Sequence, residues 1–134
     1  MLIADTNLLV QLVGDGEDAD RAREVYRRDP YWAAPRLWRS EFRNAMSLYV
    51  RQEIFPMPVA VERWRNAQRV VSRREFDVDG ERVLSLAAAS GCSAYDCEFV
   101  HLAQRLDVPL VTFDRRLRTA FPLVSLSPHQ FLAS

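Results

Sequence analysis

Residues 2–5, Leu-Ile-Ala-Asp, form a short apolar run that stops abruptly on an acid. An apolar run without alternation suits a strand buried on both faces, as in a parallel sheet. Residues 109–112 (PLVT) have the same character, and Asp114 follows two positions later. Residues 32–35 (WAAP) make a third short strand, with weaker candidates at 76–78 and 123–125. Between these runs lie helical stretches at about 6–13, 18–29, 36–54, 58–73, 79–90, 94–106 and 114–120. A capping box, Ser127-Pro128-His129-Gln130, opens a terminal helix. Gly14-Asp15-Gly16, Pro30, Phe55-Pro56-Met57-Pro58 and Gly91 punctuate the pattern. Strands alternating with helices predict one α/β domain over residues 1–134. Helices cover both faces of a mainly parallel sheet of about four to five strands. Ligands of such sheets bind beyond the carboxyl ends of the strands.

Charge narrows the chemistry. The chain carries 18 cationic and 18 anionic side chains, and every cation is arginine. Without lysine there is no P-loop, no Schiff base and no pyridoxal-phosphate attachment. Two histidines exclude a three-histidine metal site, and Cys92, Cys97 and His101 are too few for zinc. Two cysteines at helix-entry spacing suggest a reduced, cytoplasmic protein. Nothing approaches 18 consecutive apolar residues, and Asp5 interrupts the N-terminal run, so neither a membrane span nor a signal peptide is expected.

Four acids do not fit solvated surfaces. Asp5 and Asp114 end predicted strands, where each could cap the next helix or serve a site. On the 36–54 helix, Glu41 projects between Leu48 and Ala45, inside the arc that holds Leu37, Trp38, Phe42, Met46 and Tyr49. A buried ion pair with an arginine is the alternative explanation for it. On the 94–106 helix, Asp96 falls between Ala103 and Val100, near the apolar arc of Tyr95, Phe99, Leu102 and Leu106. Ser93 caps that helix, and its dipole favours a carboxylate in the first turn. Glu98 falls on the polar side with His101 and Arg105, as a surface residue pairing with one of them. Glu98, His101 and His129 are therefore left out of the site. Converging carboxylates repel one another unless a hard divalent cation joins them, and Mg²⁺ and Mn²⁺ prefer oxygen. Clusters of this kind serve phosphodiester cleavage.

At these residues the chain resembles the PIN-domain ribonucleases, and most closely the VapC toxins of type II toxin–antitoxin pairs. LIADTNLLV is similar to the family's first acidic motif, SEFRNAM to its glutamate-bearing helix, and SAYDCEFVHLAQRLDVPLVTFDRRL to its third and fourth motifs. The resemblance spans nearly the whole chain in order. It implies a three-layer α/β/α fold with Asp5, Glu41, Asp96 and Asp114 as catalytic, Mg²⁺-binding carboxylates (Mn²⁺ may substitute). Thr6, Asn7 and Thr112 match supporting positions. It further implies hydrolysis of RNA by a metal-activated water, a homodimer, and an antitoxin whose C-terminal peptide enters the acidic site. Phe113 and Arg116 depart from the family pattern, in which the first position is often small or polar and the second can be acidic. A PIN-fold binding module without nuclease activity is the alternative. A haloacid-dehalogenase-type phosphatase fits less well, because Asn7 stands where that family needs a second acid and lysine is missing.

The neutral balance conceals a division. Residues 1–35 carry net −3, residues 36–74 carry nine arginines against three acids, and residues 75–134 carry net −3. Arg36, Arg39, Arg43, Arg63, Arg65, Arg69 and Arg115 are candidates to meet RNA or antitoxin, unless the helical ones only solvate their helices.

Overall fold

A computed structural model describes residues 1–134. Five strands, β1 (Leu2–Ala4), β2 (Trp32–Pro35), β3 (Glu75–Phe76), β4 (Leu110–Val111) and β5 (Ser125–Leu126), form one sheet in the order β3-β2-β1-β4-β5. Every pairing is parallel. β1, β2 and β4 are buried throughout, as expected for strands covered on both faces.

Eight helices complete the three-layer α/β architecture: α1 (Thr6–Val13), α2 (Ala19–Arg28), α3 (Leu37–Arg51), α4 (Met57–Val70), α5 (Gly80–Ser90), α6 (Ala94–Leu106), α7 (Arg115–Ala120) and α8 (Pro128–Ala133). α6 lies against β1, β2 and β4 with α5 packed on it, while α1 packs with α2, α3 and α4. The core centres on Trp32, Trp38, Phe42, Leu2, Ile3, Leu8, Leu9, Leu102 and Leu110, all fully buried. Ending α5, Gly91 takes the left-handed conformation (φ 76°) that a glycine adopts without strain. The Ser127 capping box forms with Gln130 as expected. No helix is long and apolar enough to cross a membrane.

Several boundaries shift, for reasons outside the local sequence. β3 lies at 75–76 rather than 76–78, because it is registered by β2, with Ala34 opposite Glu75 and Pro35 opposite Phe76. β5 lies at 125–126 rather than 123–125: Leu123 is 99% exposed, and pairing with β4 begins at Ser125. His101 is buried rather than on a polar face, because its Nε2 accepts the backbone N–H of Asp79 at the start of α5 (3.2 Å). Burial, then the charge of Arg105, lowers its pKa. Tyr95, assigned to the apolar arc, is 63% exposed in the first turn of α6.

Candidate active site

The sheet order places β1 between β2 and β4, so the chain runs outward one way through β2 and β3 before returning to the other side of β1. That reversal is a topological switch point, where open α/β sheets leave a crevice at the strands' carboxyl ends. Asp5 follows β1 and Asp114 follows β4 at that point.

Asp5 is both a cap and a cleft residue. Its Oδ1 accepts the Leu8 N–H at the start of α1 (2.9 Å), and its Oδ2 accepts the Thr112 hydroxyl. The same Thr112 oxygen accepts the Asp114 N–H (2.9 Å), so one buried threonine ties together the ends of β1 and β4. Asp114 in turn caps α7, its Oδ1 accepting from the Arg116 and Leu117 N–H groups at 2.8 and 3.5 Å. Glu41 approaches from α3, where its Oε1 accepts the Thr6 hydroxyl at 2.7 Å. The expected alternative, an arginine partner for Glu41, does not occur. Asp96 enters from the first turn of α6, set by Ser93, whose hydroxyl accepts the Asp96 N–H at 3.0 Å.

The four acids line one cleft of about 520 Å³ with Thr6, Asn7, Val10, Asn44, Ala45, Leu48, Tyr49, Phe99 and Phe113. α3 thereby divides its apolar arc. Trp38, Phe42 and Met46 enter the core, whereas Ala45, Leu48 and Tyr49 form the cleft wall. Leu48 is 42% exposed for that reason.

None of the four carboxylates forms a salt bridge. Burial pushes Asp5 up to about 6, and the charges of Asp114 and Asp96 add to the rise against the lowering bonds from Thr112 and Leu8. Burial also raises Glu41, with Asp96 adding to it, and raises Asp96, with Asp114 adding to it; Arg116 lowers Asp96 by a smaller amount. Glu98 departs from its expected surface pairing. It pairs with neither His101 nor Arg105, and its pKa is raised by partial burial and then by Glu41. A helical wheel of α6 alone contains neither the elements that half-bury Glu98 nor the charge of Glu41 on α3 that acts on it.

The donor set is all oxygen and negatively charged, with no salt bridge and only a minor effect of Arg116 on Asp96, which suits a hard divalent cation. No three His, Cys, Asp or Glu side chains converge tightly enough to chelate an ion unaided.

The candidate arginines lie in different surroundings. Arg39 grips Glu75 through Nε and Nη2 (2.6 and 2.7 Å), with its guanidinium over Trp38 and Trp64. Arg36 pairs with Asp77, and Arg63 pairs with Asp15 and stacks on Phe55. Arg43 lies over Trp64, and Arg69 donates to Asn66. Arg65 and Arg115 are exposed. None of the seven lines the acidic cleft.

The PIN domain family model matches residues 2–121. The chain belongs to the PIN domain family. Its fold is similar to that of PAE2754 from Pyrobaculum aerophilum (TM-score 0.77, 19% identity, covering 99% of this chain and 97% of that one). It is also similar to a chain of a toxin–antitoxin complex from Klebsiella pneumoniae (TM-score 0.69, 19% identity, covering 96% and 98%). FitAcB from Neisseria gonorrhoeae is a third similar structure (TM-score 0.71, 15% identity, covering 96% and 99%). No curated protein matches the chain. Membership of the PIN family therefore rests on the family model and the shared fold.

Proposed function

We propose that this PIN protein is a metal-dependent endoribonuclease and the toxin of a toxin–antitoxin pair. The observation that carries this reading is the set of four carboxylates lining one cleft at the switch point, with no arginine paired to any of them. Asp5, Glu41, Asp96 and Asp114 would hold Mg²⁺, or Mn²⁺ in its place. Such an ion supplies Lewis acidity for phosphodiester hydrolysis.

The chain's own residues orient that set. Thr112 and Leu8 fix both oxygens of Asp5, Thr6 fixes Glu41, and the first turn of α7 fixes one oxygen of Asp114. Asn7 lies on the cleft wall beside them.

RNA is the substrate this reading assigns, on the resemblance of the acidic motifs to those of PIN-domain ribonucleases. The antitoxin partner is supported by the Klebsiella pneumoniae structure, a toxin–antitoxin complex, and by a structure of FitAB bound to a DNA fragment (TM-score 0.70, 16% identity). A cationic side chain from such a partner would meet the same uncompensated acids as a metal ion. A homodimer in the reducing cytoplasm completes the reading, in keeping with free Cys92 and Cys97 and with exposed Leu84 and Tyr95 on neighbouring helices.

The test is incubation of purified protein with structured RNA and Mn²⁺ beside an Asp5→Asn variant, with mapping of the new ends. The reading expects 3′-hydroxyl and 5′-phosphate ends from the wild type only. Equal cleavage by both proteins removes the site assignment. Absence of cleavage with every divalent metal favours a PIN-fold binding module instead.

A further inference from the structure

Phe113 stands between the two residues that close the cleft. Thr112, before it, bonds Asp5 through its hydroxyl and accepts from Arg118 Nη1 through its carbonyl at 2.9 Å. Asp114, after it, caps α7. The turn that carries the ring is therefore fixed on both sides. One part of the side chain packs on the core and the rest remains exposed.

That exposed part faces two depressions. Phe113 lines the carboxylate cleft and also a second hollow of about 380 Å³, and it is the only residue common to both. The other aromatic side chains of the cleft are committed elsewhere. Phe99 is only 2% exposed, and Tyr49 meets Phe55 edge-on at 5.6 Å between centroids. Phe113 takes part in no aromatic pair and no cation–π contact.

Charge decides which part of a nucleotide fits there. The second hollow carries Glu17, Asp18, Asp20 and Glu24 against Arg21 and Arg118. A phosphodiester is repelled by that wall, whereas the neutral π-face of a nucleobase is not. Bases splayed out of single-stranded RNA stack on aromatic side chains, and the contact tolerates any base.

We propose that Phe113 is a stacking residue for the RNA substrate, holding one unstacked base at the mouth of the cleft beside the phosphodiester to be cut. This rests on the ribonuclease reading and goes further by requiring a single-stranded nucleotide at one defined position.

The experiment measures binding of a single-stranded RNA by the full-length chain with Mg²⁺, in an Asp96→Asn background that keeps the RNA intact. The RNA carries 2-aminopurine or an abasic residue at successive positions around the cut. Phe113→Leu is expected to weaken binding about 5- to 100-fold, whereas Phe113→Tyr stays near the parent. Quenching of 2-aminopurine at one position is expected with Phe113 and is lost in Phe113→Leu. An abasic residue at that position weakens the parent but adds little to the leucine variant. Equal affinity of the parent and a folded Phe113→Leu, or full additivity at every abasic position, overturns the proposal. Should the leucine variant fail to fold, the parent decides: an abasic scan with no sensitive position overturns the proposal. If the wild type cleaves RNA and these arms fail, the stacking role alone falls. If the wild type neither binds nor cleaves RNA, the ribonuclease reading falls and the stacking role with it.

Discussion

Glu75 and Glu41 are both half-buried glutamates, yet the fold treats them in opposite ways. Glu75, on the edge strand β3, receives two charged hydrogen bonds from Arg39 and one from Trp38 Nε1 at 2.6 Å. The Arg39 bonds hold its carboxyl below the usual range despite burial. Glu41, two residues along the same helix as Arg39, has only the Thr6 hydroxyl, and burial raises its pKa. With nine arginines between residues 36 and 74, cations are plentiful. The fold compensates the acid at the sheet edge and leaves the acids at the switch point open. Glu75 is neutralised from within, whereas Glu41 is left to meet charge from outside, as the proposed cation site requires.

Activity separates the two kinds of acid most strongly. Asp5→Asn or Asp96→Asn is expected to lower RNA cleavage by more than the roughly 10- to 100-fold typical of outer-shell partners. Glu75→Gln, matched for size, is expected to stay within about twofold, since Glu75 lies outside the cleft. Initial rates with Mn²⁺ on one RNA check both, and a comparable loss in Glu75→Gln would erase the distinction.

The next effect is on stability. In the folded chain Asp5 is raised from 3.8 to about 6, so the native state binds more protons than the unfolded one between those values. Its contribution therefore falls as pH rises from about 4 to 6 and stays flat above, by about 3 kcal/mol in metal-free protein. The upward shifts of Glu41 and Asp96 act in the same direction. Denaturant titrations at pH 4.5 and 7 in chelator are expected to show a drop that Asp5→Asn reduces. Glu75 acts in the opposite sense, since its lowered pKa favours folding as pH rises.

Truncation sharpens the comparison from the other side. Glu75→Ala strands the Arg39 guanidinium and the Trp38 indole N–H, at a cost of about 1–3 kcal/mol, readable as a lower Tm. The smallest effect belongs to exposed Arg65. Arg65→Ala is expected within about 0.5 kcal/mol in stability. If Arg65 touches RNA phosphate, the same variant flattens the salt dependence of binding by a log–log slope of about 0.7.

Much of this division was legible in the chain. LIAD and PLVT announced buried parallel strands because continuous apolar runs have few other uses. Helical periodicity turned Glu41 and Asp96 inward without reference to any neighbour. The caps were equally local, and Asp5 and Asp114 each cap a helix through one oxygen while lining the cleft, the other oxygen of Asp5 accepting the Thr112 hydroxyl. What escaped depended on a second element. His101 is bonded from the start of α5, the charge of Glu41 on α3 acts on Glu98, and β3 takes its register from β2. Arg39 looked like a candidate for RNA, yet its fork is taken by a glutamate 36 residues away.

The proposed divalent-cation site consists of the four cleft carboxylates, none of which is paired with an arginine of the chain. Calorimetric titration of metal-free protein with Mn²⁺ at pH 7 tests it most directly, with Asp5→Asn/Asp96→Asn and Glu75→Gln as comparisons of verified fold. Saturable binding by the wild type and Glu75→Gln, lost in the double variant, is the predicted result. Equal binding by all three proteins would place the cation elsewhere.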